Sequence, residues 1–341
     1  MWGYVDRHPL MVRSLPLRVL PTPGEALDSY LEALAVRHDA AWGDLLGAVG
    51  LTDGTSGGRA VYSWLRVLPA DLAHDVHTSC GLDPATAQSM TLAALIDCKN
   101  QTRCTPAFMA PMCLFPPRSR FCPACLSETS GRWQMWWRLR WAFACPRHRC
   151  LLADLCPCCG RGQRIGPHPR GLVPAASRCS RSADRCYGHA LLRCGADLSA
   201  TPTRLCRRGS AVTEAQSTIL GVYRAGRASF GVYADNPVSA AEFTSDLTDL
   251  AARILRSPRL HDAVGLLPAD LRDASRQCVA GWATSSSPVA APGATTADTA
   301  VAAMIAMQSL VTGSDIRVAD ARGLWSMSRR RDLAATAVLS S

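Results

Sequence analysis

The chain has 341 residues, 48% of them hydrophobic and 19% charged, and a formal net charge of +10. That composition excludes wholesale disorder, and the length allows two or three domains with modest cores. No apolar run reaches the roughly 18 residues needed to span a bilayer. The best, Val301 to Val311, is interrupted by Gln308. The opening MWGYVDRHPL lacks a basic segment followed by an apolar one, so no signal peptide is read and a cytosolic protein is expected.

Residues 1–110 read as an N-terminal helical domain. After Pro23-Gly24-Glu25, the positions Leu27, Tyr30, Leu31, Leu34 and Ala35 form an i, i+3, i+4 stripe. A second helix, AAWGDLLGAVGL, stops at the turn that begins with Gly50. Residues 69–92 predict two short helices joined at Gly81-Leu82-Asp83, with Pro84 in a first helical turn. This has the grammar of a helix-turn-helix, although an ordinary helical hairpin is the plainer reading. Residues 111–205 form a cysteine- and arginine-rich module, and 206–283 return to helical periodicity as a C-terminal helical domain. Residues 284–298 read as a linker rich in Ala, Pro, Ser and Thr, and 299–341 as a last helix with a loose tail. The expected fold class is mainly α-helical with a small central zinc-ribbon-like module of tandem zinc knuckles.

Sixteen cysteines are many for a reducing compartment, and thirteen lie between Cys104 and Cys206. Cys122-x2-Cys125 and, nineteen residues on, Cys145-x2-His148 have the paired spacing of a closed tetrahedral zinc site. Pro123 and Pro146 occupy equivalent turn positions in the two pairs. Cys156 and Cys159 start a second site, with Gly160 permitting the tight turn. Its other half is less regular. Cys194-Gly195 looks like the end of a knuckle, but Leu191 stands where its partner cysteine belongs. The missing ligand is one of Cys179, Cys186 or His189, of which Cys179 is preferred. Two structural Zn²⁺ are therefore expected. A RING cross-brace fails, because His148 is followed by Cys150 after a single residue.

The same region carries the charge. Between Arg118 and Arg208 there are 17 arginines against four acids, a surplus of 13. Seven ligand thiolates and two zinc ions lower that to about +10. Arginine suits phosphate and guanine edges, so DNA contacts are expected at Arg138, Arg140, Arg147, Arg149, Arg161 and Arg164. Within RWQMWWRLRWAF, residues 132–143, the tryptophans read as packing for a module with little core, with the arginines facing outward. No GxxxxGK[ST], HExxH, GxSxG or deaminase pattern is present, and Glu128 is the only acid between the first site's ligands. The zinc is thus expected to be structural and the protein not an enzyme.

The run FCPACLSETSGRWQMWWRLRWAFACPRHRCLLADLCPCCG resembles the central signature of TniQ-family proteins, which include the TnsD-type target selectors. LPLRVLPTPGEALDSYLEALAVRH is similar to the opening helix of that family, and the resemblance covers residues 15 to about 205. It implies a non-enzymatic accessory protein of cut-and-paste transposons that chooses the insertion site and hands it to an AAA+ ATPase and a transposase. Some members bind an attachment site directly; others ride on an RNA-guided CRISPR complex, usually as dimers. The family's ligand positions fall here on Cys122, Cys125, Cys145, His148, Cys156 and Cys159. The second half of the second site departs from the family's close cysteine pair. The resemblance also implies helix-turn-helix units in the helical parts. The alternative is a stand-alone, zinc-stabilised transcription regulator.

Overall fold

The computed structural model describes residues 12–51, 63–95, 118–165, 168–181, 193–255, 267–271 and 295–312. The chain divides into two compact units, Met1–Arg208 and Gly209–Ser341. Helices predominate in both.

The first unit opens with α1 (Leu27–His38), entered through the turn at Gly24-Glu25. The Glu25 carboxylate accepts hydrogen bonds from the backbone N–H and hydroxyl of Thr22, at 3.0 and 3.2 Å, which closes that turn. Gly24 sits at φ +73°, a left-handed conformation that favours glycine, and a Cβ there would meet only the movable end of the Gln134 side chain at 2.6 Å. The predicted stripe Leu27, Tyr30, Leu31, Leu34 and Ala35 is buried throughout. It shares one core with Trp42, Leu45 and Leu46 of α2 (Trp42–Ala48), Trp64 of α3 (Ser63–Arg66) and Val76 of α4 (Ala70–Cys80). Gly81 caps α4 in the left-handed region, and the Asp83 side chain accepts from Thr86 N at 2.9 Å at the start of α5 (Pro84–Ser89). The predicted hairpin is therefore present with its turn where the sequence puts it. A short α6 (Leu92–Leu95) follows. Leu27 N donates to the Met90 carbonyl at 2.9 Å, which ties the end of α5 to the start of α1.

The cysteine-rich part of this unit is built from turns. It contains α7 (Pro123–Glu128), a 3-10 turn at Met135–Arg138, and an antiparallel hairpin of β1 (Ala144–Cys145) with β2 (Cys150–Leu151). Isolated bridges at Ser119–Gln163, Phe121–Ala153, Leu155–Gly162, Arg178–Asp197 and Cys150–Leu205 hold the rest. Among the described residues the strands are two residues long, so knuckle-like turns are present without the extended strands of a ribbon.

The aromatic run belongs to this core. Trp133, Trp137, Trp141 and Phe143 are buried, and Trp133 and Trp137 meet edge to face at 5.7 Å. The arginines beside them do not face outward as expected. Arg132 turns inward onto Glu25, in the turn before α1, and Arg138 onto Asp28 of α1, while the wholly buried Arg120 pairs with Asp154 at 3.0 Å. Arg120 also donates to the carbonyls of Arg140 and Ala142.

The second unit contains α8 (Ala211–Ala225), a hairpin of β3 (Arg227–Ala228) with β4 (Val238–Ser239), α9 (Ala240–Leu255) and α10 (Thr296–Thr312). Ser210 caps α8 through its hydroxyl and Gly226 ends it at φ +70°. α10 begins inside the segment read as a linker. Thr295 N donates to the Asp298 carboxylate at 2.8 Å while Asp298 N donates to the Thr295 hydroxyl at 3.1 Å, a reciprocal cap at that boundary. Residues 284–294 and the tail from 313 lie outside the described residues. No helix among the described residues is long and apolar enough to cross a membrane.

Candidate metal centres and basic surface

Two groups of ligand-type side chains converge in the first unit: Cys122, Cys125, Cys145 and His148, and separately Cys156, Cys159, Cys179 and Cys194. In each group the ligand atoms all lie within 4.8 Å of one another, and each could hold a metal ion.

The first group is assembled by α7 and the β1–β2 hairpin. Cys122 precedes α7, and the N–H of Cys125 points back at the Cys122 sulfur at 3.5 Å. Cys145 ends β1, and the turn to β2 carries His148 inward. His148 Nδ1 lies 3.4, 3.2 and 3.6 Å from the sulfurs of Cys122, Cys125 and Cys145. Its other nitrogen, Nε2, stands 2.9 Å from the Glu128 carboxylate. A histidine held this way presents one fixed ring nitrogen to the sulfurs. Arg147 in turn lies 2.8 Å from the second Glu128 oxygen. The hydrogen bond from His148 leads the causes that hold the Glu128 carboxyl below its ordinary range.

The thiols of this group cannot all ionise on their own. Hydrogen bonds with Cys122 and Cys125 hold Cys145 down at about 2. Contacts with Cys125, Cys145 and Cys150 push Cys122 far up. One bound cation would remove that conflict by taking every sulfur as thiolate. Cys150 lies 3.7 Å from the Cys122 sulfur, a contact that the spacing of single cysteines does not announce.

The second group joins a knuckle to a ladder. Gly160, at φ +64°, closes the knuckle by donating to the Cys156 carbonyl at 3.0 Å. Cys179 and Cys194 come from two segments paired antiparallel: Cys179 N donates to Ala196 O at 2.9 Å, and Cys194 N to Arg181 O at 2.8 Å. The sulfurs of Cys156 and Cys194 are 3.7 Å apart, and those of Cys159 and Cys179 are 3.6 Å apart. The buried Gln163 donates from Nε2 to the Cys179 sulfur at 3.3 Å. Cys158 is exposed, and the alternative ligands Cys186 and His189 lie outside the described residues.

The arginines expected to contact DNA separate into two sets. Arg138 and Arg164 are turned inward. Arg138 pairs with Asp28, and Arg164 reaches Asp28 at 2.6 Å and Glu32 at 2.5 Å while its guanidinium stacks 4.3 Å over Trp133. Neither therefore faces outward as expected: Arg138 is buried and Arg164 largely covered, each on acids of α1. Arg140 and Arg161 are half-buried and engaged with the protein. Arg147, 69% exposed, and Arg149 remain on the surface. Beside them lie residues that the sequence reading left out. Cys206 N donates to Arg149 O and Leu151 N to Arg204 O, which lays residues 204–206 along β2. Arg204, Arg207 and Arg208 are exposed there, together with Leu205. The run Arg204-Leu-Cys-Arg207-Arg208 was its only sequence signal.

The inward arginines meet three acids on one face of α1 and the turn before it. Arg132 reaches both oxygens of Glu25 at 2.9 Å, and His168 reaches Glu32 at 2.6 Å. Burial alone would raise Asp28, but Arg138 and Arg164 outweigh it and hold the carboxyl below its ordinary value. A buried acidic face is satisfied here by basic groups more than 100 residues away in the chain.

No curated protein matches the chain. Residues 16–152 match the model of the family described as TniQ. That span runs from the segment before α1 to just past β2, so the Cys122–His148 group falls inside it and the Cys156–Cys194 group beyond it. The similarity to the TniQ family thus lies in residues 16–152 and takes in α1 to α7 and the β1–β2 hairpin.

Proposed function

We propose that the protein is a non-catalytic accessory factor of DNA transposition, held together by two structural zinc ions, which selects the target site by binding DNA and recruiting a partner AAA+ ATPase. The match of residues 16–152 to the TniQ family model carries this reading. Zinc is favoured by the donor sets, three sulfurs with one imidazole and four sulfurs. A tetrahedral ion with Zn–S bonds of about 2.3 Å sets its sulfurs about 3.8 Å apart. The observed separations of 3.6 and 3.7 Å suit that edge and are far too long for a disulfide, at about 2.0 Å. Each group supplies four protein donors, whereas a catalytic zinc keeps a position for water. Glu128, the acid in contact with the first group, is occupied in holding His148.

The exposed arginines at 147, 149, 204, 207 and 208 support phosphate contacts around the β1–β2 hairpin. Purified, metal-replete protein is expected to bind DNA at low salt with a steep loss of affinity as salt rises. It is also expected to capture an AAA+ ATPase of the transposition type. Failure of both interactions in metal-replete protein would remove the reading. A guide-RNA complex and a second copy of the chain are further partners within the same proposal. The α4–α5 hairpin favours a second reading, a transcription regulator, which predicts sequence-specific DNA binding with no ATPase or transposase gene alongside.

A further inference from the structure

Between Cys159 and Cys179 the chain leaves the second metal group, crosses to the helical layer and returns. Its described residues dock there at separate points. Arg164 bridges Asp28 and Glu32, and His168 pairs with Glu32 and meets Trp42 edge to face at 5.3 Å. Trp42 N donates to Leu172 O at 2.9 Å, Gly43 N to Arg170 O at 2.8 Å, and Trp133 Nε1 to Ala176 O at 2.8 Å. Arg164 sits at φ +54°, a left-handed conformation uncommon for a non-glycine residue. The two ends of this segment, at the sulfurs of Cys159 and Cys179, meet 3.6 Å apart.

We propose that the second metal site is a clasp. Its ion closes the ends of the 160–178 segment and so holds Arg164 and His168 on the α1 carboxylates. Docking and metal binding share the cost of ordering one loop, so each strengthens the other. Glu32 and Asp28 touch no ligand sulfur, yet as positioning residues they set the affinity of this site and leave the first site alone. This rests on the reading of Cys156, Cys159, Cys179 and Cys194 as a metal site.

The test is cobalt(II) titration of the full chain against a competing chelator. A three-sulfur, one-nitrogen site and a four-sulfur site have separable absorption bands, so both affinities are read in one sample. Glu32→Gln is expected to weaken the four-sulfur site at least tenfold with the other unchanged. Equal affinity in the variant, or equal weakening of both sites, overturns the clasp. Wild-type protein that shows no four-sulfur band overturns the metal reading instead. A second measurement runs in the opposite direction. In Cys179→Ser, hydrogen exchange at the Trp42 and Gly43 amides is expected to quicken at least tenfold, and unchanged protection contradicts the proposal.

Discussion

Glu128 stands 2.9 Å from His148 Nε2, on the opposite side of the imidazole from the three sulfurs that Nδ1 faces. A carboxylate in that place fixes the ring and raises its basicity as a ligand. Glu128→Ala is expected to lower metal affinity at the first site about tenfold to a hundredfold, with the four-sulfur site unaffected. Chelator competition on cobalt-loaded protein checks this, and an unchanged first site would show that Glu128 is a bystander.

The same carboxylate divides the two arginines that flank His148. Arg147 pairs with Glu128, so Arg147→Glu sets two acids side by side and disturbs both metal and surface. Arg149→Glu is the cleaner probe. It is expected to weaken DNA binding and to reduce the salt slope by about 1 for a lost phosphate contact, with metal content unchanged. Arg204→Glu is expected to do the same, since the 204–206 segment lies along β2 next to Arg149. DNA binding measured across a salt series decides both.

The inward arginines should behave differently. Arg138→Met leaves Asp28 with one basic partner in a buried setting, and breaking such a pair costs about 3 kcal/mol. Chemical denaturation is expected to report that loss, while the salt slope of DNA binding stays at the wild-type value. A variant with wild-type stability and a reduced slope would return Arg138 to the DNA-contacting set.

Acid should unfold the first unit by way of its metals. The Asp28 carboxyl is held below its ordinary value, so its contribution is complete above about pH 4 and is lost only as pH falls through the depressed value. Imidazole and thiol ligands must be unprotonated to bind, and proton competition for them starts near pH 6. The acid midpoint is therefore expected above pH 4, coincident with metal release and moved to lower pH by excess zinc. A midpoint below pH 4 that ignores zinc would contradict this ordering.

Local chemistry explains which features the sequence disclosed. The α1 stripe, the Gly81-Leu82-Asp83 turn and the Cys-x2-Cys and Cys-x2-His pairs depend on spacings of a few residues, and the structure has them where the pattern puts them. Glu25, Asp28 and Glu32 also share a face by their spacing of three and four. Nothing nearby in the sequence marks that face as buried, because Arg132, Arg138, Arg164 and His168 lie more than 100 residues further along the chain. The expectation that arginines in a basic segment face solvent failed for that reason. Cys179 and Cys194 had no knuckle spacing either; a ladder between residues 178–181 and 194–197 brings them together. In the sequence Glu128 is only a lone acid, since its tie to His148 depends on the β1–β2 hairpin bringing that ring to α7.

The most direct test of two structural ions is metal analysis of the purified chain, paired with its cobalt spectrum and its melting after chelation. Two ions per chain are expected, one with three sulfurs and one nitrogen and one with four sulfurs, and chelation should unfold the first unit. Folded, DNA-binding protein with less than one ion per chain would contradict the account.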